Sequence, residues 1–186
     1  MHLTAGFTDP SRDAARCFRQ VLDAMAHPGR IVPIPPLQAP APCSPAAAAV
    51  LMTLVDSTTL LHLAGAHDCA ALRDWVHFHL GAKLVGRSDA AFALGTWDAL
   101  GPLCTYRQGS AEYPDRSATL IVEVDDLRNA GAKLTGPGIE AEASLSLPDL
   151  PALAANAARF PLGLDFLFTS DAQVAALPRS TRLEGC

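Results

Sequence analysis

Residues 117–127 read "SATLIVEVDDL", and this stretch decides the fold. Thr119, Ile121, Val122 and Val124 are β-branched, a side-chain shape that crowds a helix and fits a pleated surface. The stretch is therefore a strand. On its C-terminal side, "KLTGPGIEAEASLSL" (133–147) alternates apolar and polar residues for much of its length. "LPALAANAARF" (150–160) then predicts a helix and "GLDFLFTS" (163–170) a further strand, while the tail "LPRSTRLEGC" (177–186) reads as irregular.

On its N-terminal side, "LLHLA" (60–64), "AKLVG" (82–86) and "AAFALG" (90–95) read as short strands. Helices come first. In "TDPSRDAARCFRQVLDAMAHPG" (8–29), Asp9 caps, Pro10 suits the first turn, and Pro28-Gly29 stops the helix. Ala14, Phe18, Val21, Leu22 and Met25 form its expected inner face, with Arg12, Arg16, Arg19 and Asp23 outward. A proline-rich connector follows, and Ser44-Pro45 opens a second helix through the alanine run. A third runs from about Asp68 to Leu80, with Leu72, Trp75, Val76 and His79 facing inward, and Thr96 caps a short helical turn. Strands mixed among helices without strict alternation predict an α/β fold, a three-layer α/β/α domain with a mixed sheet. One domain spans residues 1–186.

Apolar residues make up 49% of the 186 and charged residues 18%, a globular composition. The net charge of −5 and the scattered basic residues argue against a nucleic-acid partner. Five cysteines without any C-x-x-C argue against a disulfide framework or zinc site and fit a reducing cytosol. The first residues lack the apolar core of a signal peptide, and no apolar run is long enough to span a membrane. The expectation is a soluble, cytoplasmic protein.

The chemistry-bearing candidates are few. In "LTGPGI" (134–139), Gly136 and Gly138 bracket a proline. A phosphate cradle uses bare backbone N–H groups and a following helix N-terminus. Here Pro137 removes a donor and the next segment reads as a strand, so a tight turn is the better reading. His77 and His79 lie two apart, on different faces of a helix, which disfavours a shared metal. No nucleophile elbow is present. Lys83 and Lys133 are the only lysines, and each reads as a strand-edge residue. Asp165 falls in an apolar strand, and Arg179, Ser180 and Thr181 offer a guanidinium fork with two hydroxyls. That set suits an oxyanion, and it equally suits a structural Asp–Arg pair.

"FRQVLDAMAHPG", "TLVDSTT", the "FH" of "VHFHLGAKL", "YPDRSATLIVEV", "LTGPGI", "FPLGLDFLF" and "LPRSTR", in that order across nearly the whole chain, resemble the H subunit family (PhnH) of the bacterial carbon–phosphorus lyase system. The resemblance implies a fold similar to the pyridoxal-phosphate-dependent transferases without the cofactor site, and so no cofactor. It implies a homodimer that joins the G, I and J subunits, and the synthesis of a ribose 1-phosphonate 5-triphosphate from ATP and a phosphonate, with adenine released. It implies no autonomous catalysis by this chain, and it supplies no established catalytic residue to carry over. His79, Gly136, Gly138, Asp165, Arg179 and Thr181 are the candidates for ligand binding or subunit contact; the alternative to a complex subunit is a stand-alone binder of small phosphorylated ligands without catalysis, with Arg179, the 135–138 loop and His79 forming its pocket. The family pattern "FHTGAP" is broken here by Leu80 and Lys83, while His79 is retained.

Overall fold

A computed structural model describes residues 6–35 and 37–184. The chain runs α1 (Pro10–Ala26), β1 (Val32–Pro33), α2 (Pro45–Leu54), β2 (Leu60–Leu63), α3 (Ala70–His79), β3 (Lys83–Leu84), β4 (Phe92–Thr96) and α4 (Trp97–Leu100). It continues through β5 (Thr119–Glu123), β6 (Ala132–Thr135), β7 (Ala143–Leu145), α5 (Leu150–Ala157), β8 (Asp165–Ser170), β9 (Gln173–Leu177) and β10 (Arg182–Glu184). Three helices start as their sequences dictate. Asp9, Ser44 and Asp149 each accept a hydrogen bond from the backbone N–H three residues on, with proline in the first turn. Each such cap is worth about 1 kcal/mol.

The described residues form two sheets. The larger has seven strands in the order β1-β9-β8-β5-β4-β2-β3, and the smaller is antiparallel, β10-β6-β7. β5, from the stretch at 117–127, lies at the centre of the large sheet, parallel to β4 on one side and β8 on the other. β2 and β3 are parallel too, whereas β9 returns antiparallel to β8 and carries β1. The sheet is therefore mixed, as the sequence predicts.

Alternation along each strand divides the core in two. Leu61, Leu94, Ile121, Leu167 and Val174 face α1, α2 and α3, while Ala93, Leu120, Val122, Phe166 and Phe168 face the side of α4, α5 and the small sheet. Phe166 and Phe168 are fully buried, each contributing on the order of 2–3 kcal/mol by transfer from water. Helices thus cover one face, and a small sheet shares the cover of the other.

Three expectations need correction. The tail is not irregular: Arg182–Glu184 pairs with Thr135–Lys133 as β10. Three residues, two of them charged, carry no readable period, and the partner strand lies far off in sequence. Gln173–Leu177 forms β9, where residues 173–176 have no assignment from sequence and Leu177 opens the tail read as irregular. Its two alanines lack strand propensity, yet β1 and β8 flank it and both faces are buried. The inner face of α1 is also rotated. Cys17, Val21 and Ala24 are buried, whereas Phe18 and Leu22 are 50% and 56% exposed. The reason is close packing: Ala46 to Ala49 of α2 are completely buried, and the Cys17 thiol lies 3.5 Å from the Ala49 carbonyl. Only small side chains fit between two helices so near each other.

Candidate functional site

β2, β3, β4, β5 and β8 point the same way, so their C-terminal ends share one edge of the large sheet. Open α/β sheets bind ligands outside that edge. In this chain the last register row there is polar, with Thr96, Glu123 and Thr169 side by side. The Glu123 side chain is only 11% exposed. Its Oε1 accepts from the backbone N–H of Ser44 at 2.6 Å, and its Oε2 accepts from the Thr169 hydroxyl at 3.2 Å. Ser44 caps α2, so the carboxylate sits at the positive end of a ten-residue helix, which favours negative charge. Burial, with the Glu123 charge adding to it, pushes the neighbouring Cys43 thiol well above the ordinary thiol range.

His67 closes a 3₁₀ turn directly after β2 and is 2% exposed. Its Nε2 stands 3.7 Å from Glu123 Oε1, too far for a hydrogen bond, and neither ring nitrogen has a hydrogen-bond partner. In front of Glu123 opens a cleft of about 460 Å³, lined also by Trp97, Asp98, Asp125, Asp126 and Arg128. The arrangement offers hydrogen-bond acceptors at its base and carboxylates at its rim.

Asp165 and Arg179 lie at the opposite, N-terminal edge, where β8 begins and β9 ends. Asp165 Oδ1 accepts from the Arg179 backbone N–H at 2.8 Å and from Nε at 3.1 Å, and Oδ2 pairs with Nη2. Nη1 donates to the Pro114 carbonyl at 2.6 Å. Every arm of the guanidinium is thus engaged by the protein, the geometry of a structural pair. Thr181 is 1% exposed, with its hydroxyl unpartnered.

Gly136 and Gly138 form a turn with φ of +124° and +82°, closed by the Ile139 N–H on the Gly136 carbonyl at 3.2 Å. A bend at Glu140 and Ala141 and then β7 follow, with no helix N-terminus at the turn. A Cβ on Gly138 would collide with the Ala26 carbonyl at the end of α1, and one on Gly136 would lie 3.3 Å from the Ser180 carbonyl. The turn is therefore packed between α1 and the chain at 180–182. His79 meets Trp75 at a tilt and Phe78 edge-on, at 5.1 and 4.9 Å between ring centres. A Cβ on Gly6, just before α1, would lie 3.3 Å from its ring. A helix of 17 residues separates those two places, roughly 25 Å at 1.5 Å per residue. The structure thus brings Asp165, Arg179, Thr181 and the glycine turn into one neighbourhood and leaves His79 in another. Lys133 is paired with Glu142 at 3.2 Å.

Glu123 and His67 were not among the sequence candidates. The available signal was "EVDD" (123–126), a run of acids where the clearest strand ends.

Comparison with known proteins gives two kinds of likeness. Residues 5–184 match the family described as bacterial phosphonate metabolism protein (PhnH). The chain is 38% identical over 192 aligned residues to the alpha-D-ribose 1-methylphosphonate 5-triphosphate synthase subunit PhnH of Rhizobium meliloti, covering 97% of this chain and 95% of that one. It is 33% identical over 172 residues to HtxG of Stutzerimonas stutzeri, named for a C-P lyase subunit, covering 89% of this chain and 83% of that one.

Proposed function

The chain belongs to the PhnH family of bacterial phosphonate metabolism proteins, and on that premise we propose that it is a subunit of an alpha-D-ribose 1-methylphosphonate 5-triphosphate synthase. The observation that carries this reading is 38% identity, almost end to end, to a relative bearing that name. The step is the coupling of a phosphonate to the ribose of ATP with release of adenine, within carbon–phosphorus lyase catabolism. The rest of the proposal is finer. One PhnH-like domain spans the chain, its fold is akin to the pyridoxal-phosphate-dependent transferases, it needs no cofactor of its own, and it works in the cytoplasm. It forms a homodimer and joins the G, I and J subunits, which carry the chemistry.

One feature of the described residues argues for a role other than phosphate binding. The Arg179 fork, which a phosphate binder would present to its ligand, is turned inward on Asp165. Within this reading Gly136, Gly138 and Thr181 shape the surface at 134–139 and 180–182, and His79 belongs to a separate contact surface.

The test is genetic and biochemical. Deleting the gene should abolish growth on methylphosphonate as sole phosphorus source, and the tagged chain should co-purify with the G, I and J subunits. Full growth of the deletion strain, with a chain that purifies alone, would sink the proposal.

A further inference from the structure

The cleft before Glu123 continues into a groove. It shares Arg128, Ser146 and Leu147 with a second hollow of about 380 Å³ that runs past Gly131, Ala132 and Leu150. An elongated hollow of this kind fits a stretch of chain better than a compact metabolite.

Its charge is one-sided. Asp98, Glu123, Asp125 and Asp126 face a single guanidinium, Arg128, which is itself 2.9 Å from Asp126. A phosphonate or triphosphate would be repelled from such a surface. The base of the groove is equally one-sided in hydrogen bonding. Each oxygen of Glu123 has one donor in the protein and a second lone pair to spare. Beside it, 3.7 Å from Oε1, the buried imidazole of His67 has no hydrogen-bond partner at either nitrogen. A groove that repels anions and holds spare acceptors at its base calls for a donor-rich cation.

We propose that this groove docks an extended basic segment of a partner subunit, with an arginine or lysine side chain reaching Glu123 between Asp125 and Trp97. A guanidinium matches the site best, since its five N–H donors meet carboxylates in a fork. The inference rests on the subunit reading above and adds to it the location and charge of one contact.

The experiment is co-expression of the full chain, tagged, with the G, I and J subunits, followed by affinity purification at low and moderate salt. Asp125 and Asp126 are exposed, so D125K/D126K leaves the fold intact; D115K, at the other edge of the sheet, controls for charge alone. The expected result is at least a ten-fold loss of co-purified partners with D125K/D126K, none with D115K, and weaker recovery of the wild-type complex as salt rises. Wild-type recovery by D125K/D126K would overturn the docking proposal while leaving the subunit reading in place. Failure of the wild-type chain to recover any partner would instead overturn the subunit reading, and this inference with it. Calorimetry with spermidine supplies a second arm: binding that D125K/D126K abolishes, with assembly unchanged, would assign the groove to a small polyamine and overturn the proposal.

Discussion

The two ends of the parallel strands carry similar ingredients and finish them differently. At the N-terminal edge, Asp165 and Arg179 meet through several hydrogen bonds, and the last arm of the guanidinium rests on a carbonyl. At the C-terminal edge, Glu123 and His67 stand 3.7 Å apart, with the imidazole unpartnered. A carboxylate and a nitrogen base satisfied by each other hold a structure together. The same pair left short of partners keeps a surface ready for something else. The sequence suits Asp165 and Arg179 equally to an oxyanion and to a structural pair; their hydrogen bonds are those of the pair, and the unpartnered imidazole lies at the opposite edge.

The largest test of this contrast is Arg179→Ala. It strands a largely buried carboxylate, with the Asp165 side chain 16% exposed, and should cost about 3 kcal/mol of stability, read from the urea midpoint. A loss below about 1 kcal/mol would break the contrast, because the N-terminal edge would then not be the structural one. Gly138→Ala comes next. Its Cβ would strike the Ala26 carbonyl at a φ of +82°, so a loss of about 2 kcal/mol is expected. Unchanged thermal stability would mean that the turn is not packed as described.

His67→Leu should act in the opposite sense. It removes two unpartnered polar atoms from a buried site, so stability should hold or rise by about 1 kcal/mol, while recovery of partner subunits falls. A marked destabilisation would make His67 a structural residue and erase the difference between the edges.

The smallest effect concerns pH. Burial raises the pKa of the Cys17 and Cys43 thiols and of the Tyr106 phenol in the folded chain. Below the unfolded thiol value of about 8.5 and phenol value of about 10, the stability linked to these groups is fully present. It is lost as pH rises beyond those values, because the folded state then holds more protons than the unfolded one. Melting temperature should therefore decline gently on the alkaline side, and Cys43→Ala should flatten the first part of that decline. A melting temperature that climbs from pH 8 to pH 10 would contradict it.

Much of the fold was legible because local signals agreed with it. The caps at Asp9 and Ser44, the prolines behind them and the β-branched run at 119–124 all act within a few residues. What escaped depends on distant partners. β10 exists because β6 pairs with it, and β9 because β8 and β1 enclose it. The inner face of α1 was misjudged for the same reason: hydrophobicity favoured Phe18 and Leu22, but the side chain set against the buried alanines of α2 is the small Cys17. The open site was hidden most fully. His67 and Glu123 are 56 residues apart in number, and no periodicity links the turn after β2 to the end of β5.

The alanine face of α2 has a mechanical meaning. With Ala46 to Ala49 completely buried against neighbouring elements, the helix has no slack in which to roll or slide. Its first turn holds the Ser44 N–H that orients Glu123, so the carboxylate is fixed before any visitor arrives. Whatever enters the groove meets a rigid receptor and spends little of its binding free energy on arranging it. Enlarging a single alanine there would loosen that aim without touching the acid itself.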